Sequence, residues 1–124
     1  MFLEFTSFKY NLLYPFVMEK PYTLIFDDVM VKQLKKAAKN QHIKNILTKM
    51  LDKLENVGAD AGELLDSQLF IYEIKNKHPP IRLYFKHNKQ TNEVYVFEFE
   101  MKTSPEKQQG TIGRIKQKAR GLKS

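Results

Sequence analysis

At 124 residues, 42% of them hydrophobic, the chain has the length and composition of one globular domain that can bury a core without covalent staples. It contains no cysteine, which excludes a disulfide framework, a cysteine nucleophile and a thiolate metal site, and suits a reducing compartment; the cytoplasm is the expected location. The formal charge is +7 and unevenly placed, because residues 102–124 carry seven basic side chains (Lys102, Lys107, Arg114, Lys116, Lys118, Arg120, Lys123) against Glu106 alone. Such clustering is the electrostatic footprint of a nucleic-acid binder or of a protein held by an acidic partner, although a solvated helix face produces it too.

In chain order, Phe2, Phe5, Phe8, Leu12, Leu13 and Phe16 are apolar at mostly helical spacing, but Glu4 and Lys9 interrupt a run already too short to span a bilayer. A basic leader with a small-residue cleavage site is missing, so no secretory signal and no membrane association are expected. Met18 precedes Glu-Lys-Pro-Tyr as an alternative start. Residues 1–19 thus read as an accessory segment or as an over-extended frame, ahead of a single domain over residues 20–124.

The aromatic and β-branched run at residues 22–26 predicts a strand, with Asp27 or Asp28 capping a following helix. Val31, Leu34 and Ala38, then Ile43, Ile46, Leu47, Met50, Leu51 and Leu54, recur at helical spacing on either side of Asn40-Gln41. This is a helical hairpin or one bent helix. Its apolar stripe needs a sheet to cover, and its lysines, Lys32 to Lys53, point outward. Gly58 and Gly62 end it and open a loop to about Gln68.

Three strand-like runs follow at residues 69–75, 81–87 and 93–101, joined by short turn-rich connections that imply an antiparallel meander. Thr103-Ser104-Pro105-Glu106 is a helix-entry signature, and a basic helix is predicted over residues 105–120, with Gly110 and Gly113 marking a break. The expected class is α+β: a small, mainly antiparallel sheet with two N-terminal helices packed on one face and a basic C-terminal helix.

Strict alternation divides these strands into two faces. Phe70, Tyr72, Ile74, Ile81, Leu83, Phe85, Tyr95, Phe97 and Phe99 form the set expected under the helices, while Glu73, Lys75, Arg82, Tyr84, Lys86, Glu98, Glu100 and Lys102 form a polar set. A solvated sheet face accounts for the polar set, and so does a surface that binds RNA. Arg82 sits mid-strand between apolar neighbours, so its guanidinium needs a partner: internally Glu73 or Glu98, or externally a phosphate. Tyr84 is two residues on and suited to stacking on a base or to half-burial.

Leu69-Phe70-Ile71-Tyr72-Glu73-Ile74-Lys75 resembles the Leu-Tyr-Glu-Leu-Arg signature of RelE/HigB-type toxins, and Ile81-Arg82-Leu83-Tyr84-Phe85 resembles the Tyr-Arg-Ile-Leu-Tyr strand that follows it. Phe99-Glu100-Met101-Lys102-Thr103-Ser104-Pro105 is similar to the Phe-x-Lys-Lys-Thr and proline stretch of the phage-associated, HigB-like branch. The resemblance implies a RelE-like fold and an mRNA interferase, the toxin of a toxin-antitoxin module, usually acting on mRNA within the ribosome and bound by a cognate antitoxin. The reaction it implies is attack of a ribose 2′-oxygen on the adjacent phosphate, which needs alignment, charge stabilisation and proton transfer but no metal or cofactor. Arg82 then matches the arginine at the scissile phosphate and Lys102 the second lysine that neutralises developing charge. Lys75 takes the place of the signature arginine, and Lys86 belongs to the same RNA-facing set.

Some positions depart from that pattern. Phe97 stands where many relatives place a histidine, Met101 replaces the first lysine of the pair, and Glu98 and Glu100 add negative charge. Acid–base work would then fall to His78 or His87 at strand ends. The same departures support a second reading, a catalytically impaired basic adaptor or regulatory domain that binds nucleic acid or an acidic protein. No Gly-rich phosphate loop follows a strand, and no His or acidic cluster has metal-ligand spacing, so no metal is expected.

Overall fold

The computed structural model describes residues 2–4, 20–101 and 104–122. Its sheet is built on strand β2, Thr23–Asp27, whose aromatic and β-branched residues pair in parallel with the last strand. Among the described residues six strands lie in the order β1 (Phe2–Glu4), β2, β6 (Glu93–Met101), β5 (Ile81–Asn88), β4 (Ile71–Asn76) and β3 (Glu63–Asp66). Strand β1, Phe2–Glu4, pairs antiparallel with β2 at one edge; the rest of the proposed accessory segment lies outside the described residues.

Helix α1 (Asp28–Ala37) and helix α2 (Gln41–Val57) form a hairpin. Asn40 decides between hairpin and bend: its side-chain oxygen accepts the amides of His42 at 3.1 Å and Ile43 at 3.2 Å, starting a new helix. Asp27 occupies the cap position of α1 but makes no capping bond, because its carboxylate is held by Lys118. Gly58 ends α2 with φ +57°, and a Cβ there would come within 2.6 Å of the Tyr22 ring, so both backbone and space demand glycine.

The expected loop to Gln68 is instead a short 3-10 turn, Gly58–Ala61, and an edge strand β3, Glu63–Asp66. The sequence Glu-Leu-Leu-Asp lacks strand-favouring residues; pairing with β4 makes it a strand, with a register shift between Leu64 and Asp66. Gly62 permits this approach, since a Cβ on it would lie 2.3 Å from the Glu73 carbonyl oxygen. Strands β4 (Ile71–Asn76), β5 (Ile81–Asn88) and β6 (Glu93–Met101) form the antiparallel meander. Helix α3, Pro105–Arg120, starts at Ser104, whose hydroxyl accepts the Lys107 amide at 3.2 Å. It runs unbroken through Gly110 and Gly113, where an added Cβ would meet nothing within 4 Å. These glycines weaken the helix without interrupting its hydrogen bonds.

The sheet is covered on both faces. Leu24, Phe26, Leu83, Phe85, Val94 and Val96 meet Met30, Ile43, Leu47, Met50 and Leu54 of α1 and α2. On the other face Ile71, Tyr84 and Phe97 meet Ile115 and Ala119 of α3. Strict alternation therefore misplaces Tyr95 and Phe97, which face α3 while Phe99 packs with the α1–α2 core. The cause is a bulge: Tyr84 pairs with Glu98 but Phe85 pairs with Val96, so Phe97 is an extra residue and shares its face with Glu98. Phe70 also leaves the expected strand; it precedes β4 with φ +56°. Its ring lies 5.5 Å from Lys86 Nζ and 5.0 Å from Lys89 Nζ.

Candidate functional site

Register brings Lys75, Arg82 and Glu100 into one row, since Lys75 is opposite Arg82 on β4–β5 and Arg82 opposite Glu100 on β5–β6. Cross-strand neighbours on one face interact directly. Glu73, 4% exposed, supplies the internal partner of Arg82: Nη1 donates to both of its carboxylate oxygens at 3.1 Å. Among the described residues the other guanidinium nitrogens of Arg82 have no protein partner, and the side chain keeps 33% of its surface. Lys75 Nζ lies 3.5 Å from both Glu73 and Glu63. Two cations thus sit side by side at one end of the polar face, with a buried carboxylate fixing the arginine from behind.

Lys102 lies outside the described residues. The described strand before it ends at Met101, which pairs with Ile81, the neighbour of Arg82.

Helix α3 covers Tyr84, Glu98 and Glu100 of the predicted polar face. Tyr84 is wholly buried, and its hydroxyl donates to Glu100 at 2.7 Å; burial, and then the Glu100 carboxylate, raise its pKa well above the ordinary phenol value. Lys86 is equally buried, donating to the Leu69 carbonyl at 2.6 Å, and burial lowers its pKa. Neither side chain reaches solvent in this arrangement. His87 points to the opposite face, with its ring edge-on to Tyr22 at 5.4 Å, and burial, then Lys89, lower its pKa. It sits five residues along β5 from Arg82, about 17 Å at strand rise. His78 is exposed in the β4–β5 turn, at the Arg82 end of the sheet.

Helix α3 also resolves the apparent surplus of acid. Arg114 Nη2 donates to Glu98 at 3.0 Å, and the Thr111 hydroxyl donates to Glu100. Lys118 holds Asp27, and Lys116 lies 3.5 Å from Asp66. Sequence reasoning registered these as tail charge and missed their spacing: Lys107, Thr111, Arg114 and Lys118 share one helical face beside the stripe Ile112, Ile115, Ala119 and Leu122. A cleft of about 310 Å³ lies where α1, β6 and α3 meet, lined by Gln33, Glu98, Glu100, Lys107, Thr111 and Arg114 among others. Among the described residues no three His, Asp or Glu side chains converge as a metal set, and no helix is long and apolar enough to cross a membrane.

No protein-family model matches the sequence, and no curated protein matches it significantly. Solved structures do match the fold. The isolated E. coli RelE toxin superposes with a TM-score of 0.55 at 22% identity, over 74% of this chain and 96% of that one. The RelBE toxin-antitoxin complex of E. coli matches with a TM-score of 0.52 at 20% identity, over 65% of this chain and 96% of that one. The chain therefore has a RelE-like α+β fold, with two helices on one face of a mainly antiparallel sheet and a basic C-terminal helix on the other.

Proposed function

We propose that this chain is the toxin of a toxin-antitoxin module, an mRNA interferase of the HigB-like branch that acts without a metal, on ribosome-bound message. The observation that carries this reading is Arg82: anchored through one nitrogen by buried Glu73, it keeps its remaining donors for a phosphate, with Lys75 directly across the strand pair. Lys102 is the second catalytic cation in this reading. An arginine immobilised from behind is preorganised to stabilise charge that grows on a phosphate.

In the proposed reaction the ribose 2′-oxygen forms a bond to the adjacent phosphorus as its proton leaves. The bond from phosphorus to the 5′-oxygen then breaks, and the leaving oxygen takes a proton. Arg82 and Lys102 hold the non-bridging oxygens, and Lys75 adds field. His78 is the exposed histidine at this end of the sheet for proton transfer. A cognate antitoxin is the proposed protein partner, supported by the toxin-antitoxin complex among the fold neighbours, and the +7 charge suits an acidic partner.

A second reading, the basic adaptor without catalysis, is favoured by one observation: Tyr84 and Lys86 are buried, Tyr84 against Ile115 and Ala119 of α3. Expression in bacteria separates the two. The wild-type chain is expected to arrest growth and shorten bulk mRNA half-lives, while Arg82→Ala and Lys102→Ala relieve both effects at equal protein level. Identical growth and mRNA decay for all three versions would sink the toxin reading.

A further inference from the structure

Two groups of cations stand out among the described residues. In one group each cation has an acidic partner: Arg82 with Glu73, Arg114 with Glu98, Lys116 with Asp66 and Lys118 with Asp27. Lys49 and Lys53 on α2, and Lys77 just past β4, are exposed and have no acidic partner among the described residues. These three line a groove of about 500 Å³ between α2 and the outer edge of β4, together with Lys75 and the two acidic residues it pairs with, Glu63 and Glu73, so that the cations outnumber the acids four to two. That volume lies within the range of ligand clefts.

Position distinguishes these lysines from an ordinary solvated helix face. Lys49 and Lys53 are one turn apart, and the mild repulsion of their like charges is relieved when an anion sits between them. The groove is concave with an apolar floor of Met50, Ala61 and Ile74, and low-dielectric walls concentrate the field of the charges above them. Gly62 lets the chain at the groove wall pack directly on β4, because there is no room for a side chain against the Glu73 carbonyl. The groove adjoins the Arg82 row around the outer edge of the sheet, since Lys75 and Glu73 line the groove and flank Arg82 on the opposite face.

We infer that this groove binds the phosphate backbone of single-stranded RNA, carrying the strand from Arg82 over Lys75 onto Lys77, Lys53 and Lys49. The inference rests on the RNA-directed reading above and extends it to a second stretch of the strand. Ammonium groups act as point charges without the planar fork of arginine. The groove therefore positions the strand and adds affinity, and it reads no base.

The test is fluorescence anisotropy of a labelled oligouridylate across a salt series, with growth on expression followed in parallel. Each phosphate contact in a single strand contributes about 0.7 to the slope of log affinity against log salt, so Lys49→Gln/Lys53→Gln/Lys77→Gln is expected to reduce that slope by about 2. Lys32→Gln/Lys36→Gln, an exposed pair on α1, is the charge control and should leave the slope nearly unchanged. Equal losses from both variants would mean diffuse attraction and overturn the groove. So would a wild-type chain that prefers polyglutamate to RNA and loses that preference in the triple variant, which would assign the groove to an acidic protein. Undiminished RNA binding by the triple variant, with wild-type growth arrest intact, removes the groove and leaves the toxin reading standing. Loss of binding confined to the triple variant, from a chain that never slows growth, keeps the groove and removes the toxin reading.

Discussion

The two faces of the sheet are covered in different ways. Helices α1 and α2 attach chiefly through apolar contact, Met30, Leu47, Met50 and Leu54 against Leu24, Phe26, Leu83 and Phe85, with Gln33 exchanging a pair of uncharged hydrogen bonds with the Phe99 backbone. Helix α3 attaches through a narrow apolar stripe, Ile115 and Ala119 on Tyr84 and Phe97, and through a ring of polar ties. Apolar burial is nondirectional and little affected by salt, whereas charge-assisted ties respond to salt and to single-atom changes. The first face is the scaffold. The second is the adjustable cover over the polar set, and it decides which of those side chains meet solvent.

The largest break in this comparison is expected from Leu54→Ala, at a fully buried position of α2. It should cost about 2–5 kcal/mol in urea-induced unfolding and lower protection throughout the sheet. Thr111→Val is the corresponding cut on the other face. It keeps the shape but removes the donor to Glu100, which should cost about 1–3 kcal/mol. Amide exchange is expected to quicken in α3 while α2 stays protected; uniform acceleration would show that the two covers melt together.

A smaller effect is expected from pH on the α1–α2 side. The folded-state pKa of His87 is depressed below the ordinary 6.5 by burial, so the unfolded chain binds the proton more tightly. The stability this contributes is present above the unfolded value and is lost as pH falls through it towards the folded pKa. His87→Gln should flatten that decline in thermal unfolding measured from neutral to mildly acidic pH. The smallest effect is a gain: Gly113→Ala places a methyl group in open space within a helix and should stabilise α3 by up to about 1 kcal/mol.

Much of the architecture was legible locally. The split at Asn40 and the start of α3 at Ser104-Pro105 are capping chemistry, carried by side chains within three residues of the amides they satisfy. The strand of residues 93–101 was readable from its alternation. Strand β3 was not, because Glu63 and its neighbours have little strand preference and are extended only by pairing with β4. Of the candidate site, the position of Arg82 and its need for a partner came from the motif and the strand pattern. The choice of Glu73 over Glu98 did not, since Glu98 is taken by Arg114 from a helix sixteen residues away.

The sequence alone determined the order of the main elements, the RelE-like class and the candidate cations, because periodicity, caps and turns act over a few residues. Tertiary structure decided which of those cations are spent and which are open. One bulged residue, Phe97, sets the register of β6, and the docking of α3 closes over Tyr84 while leaving Arg82 partly exposed. Both depend on contacts between segments far apart in the chain, where a shift of one position moves a side chain to the other face.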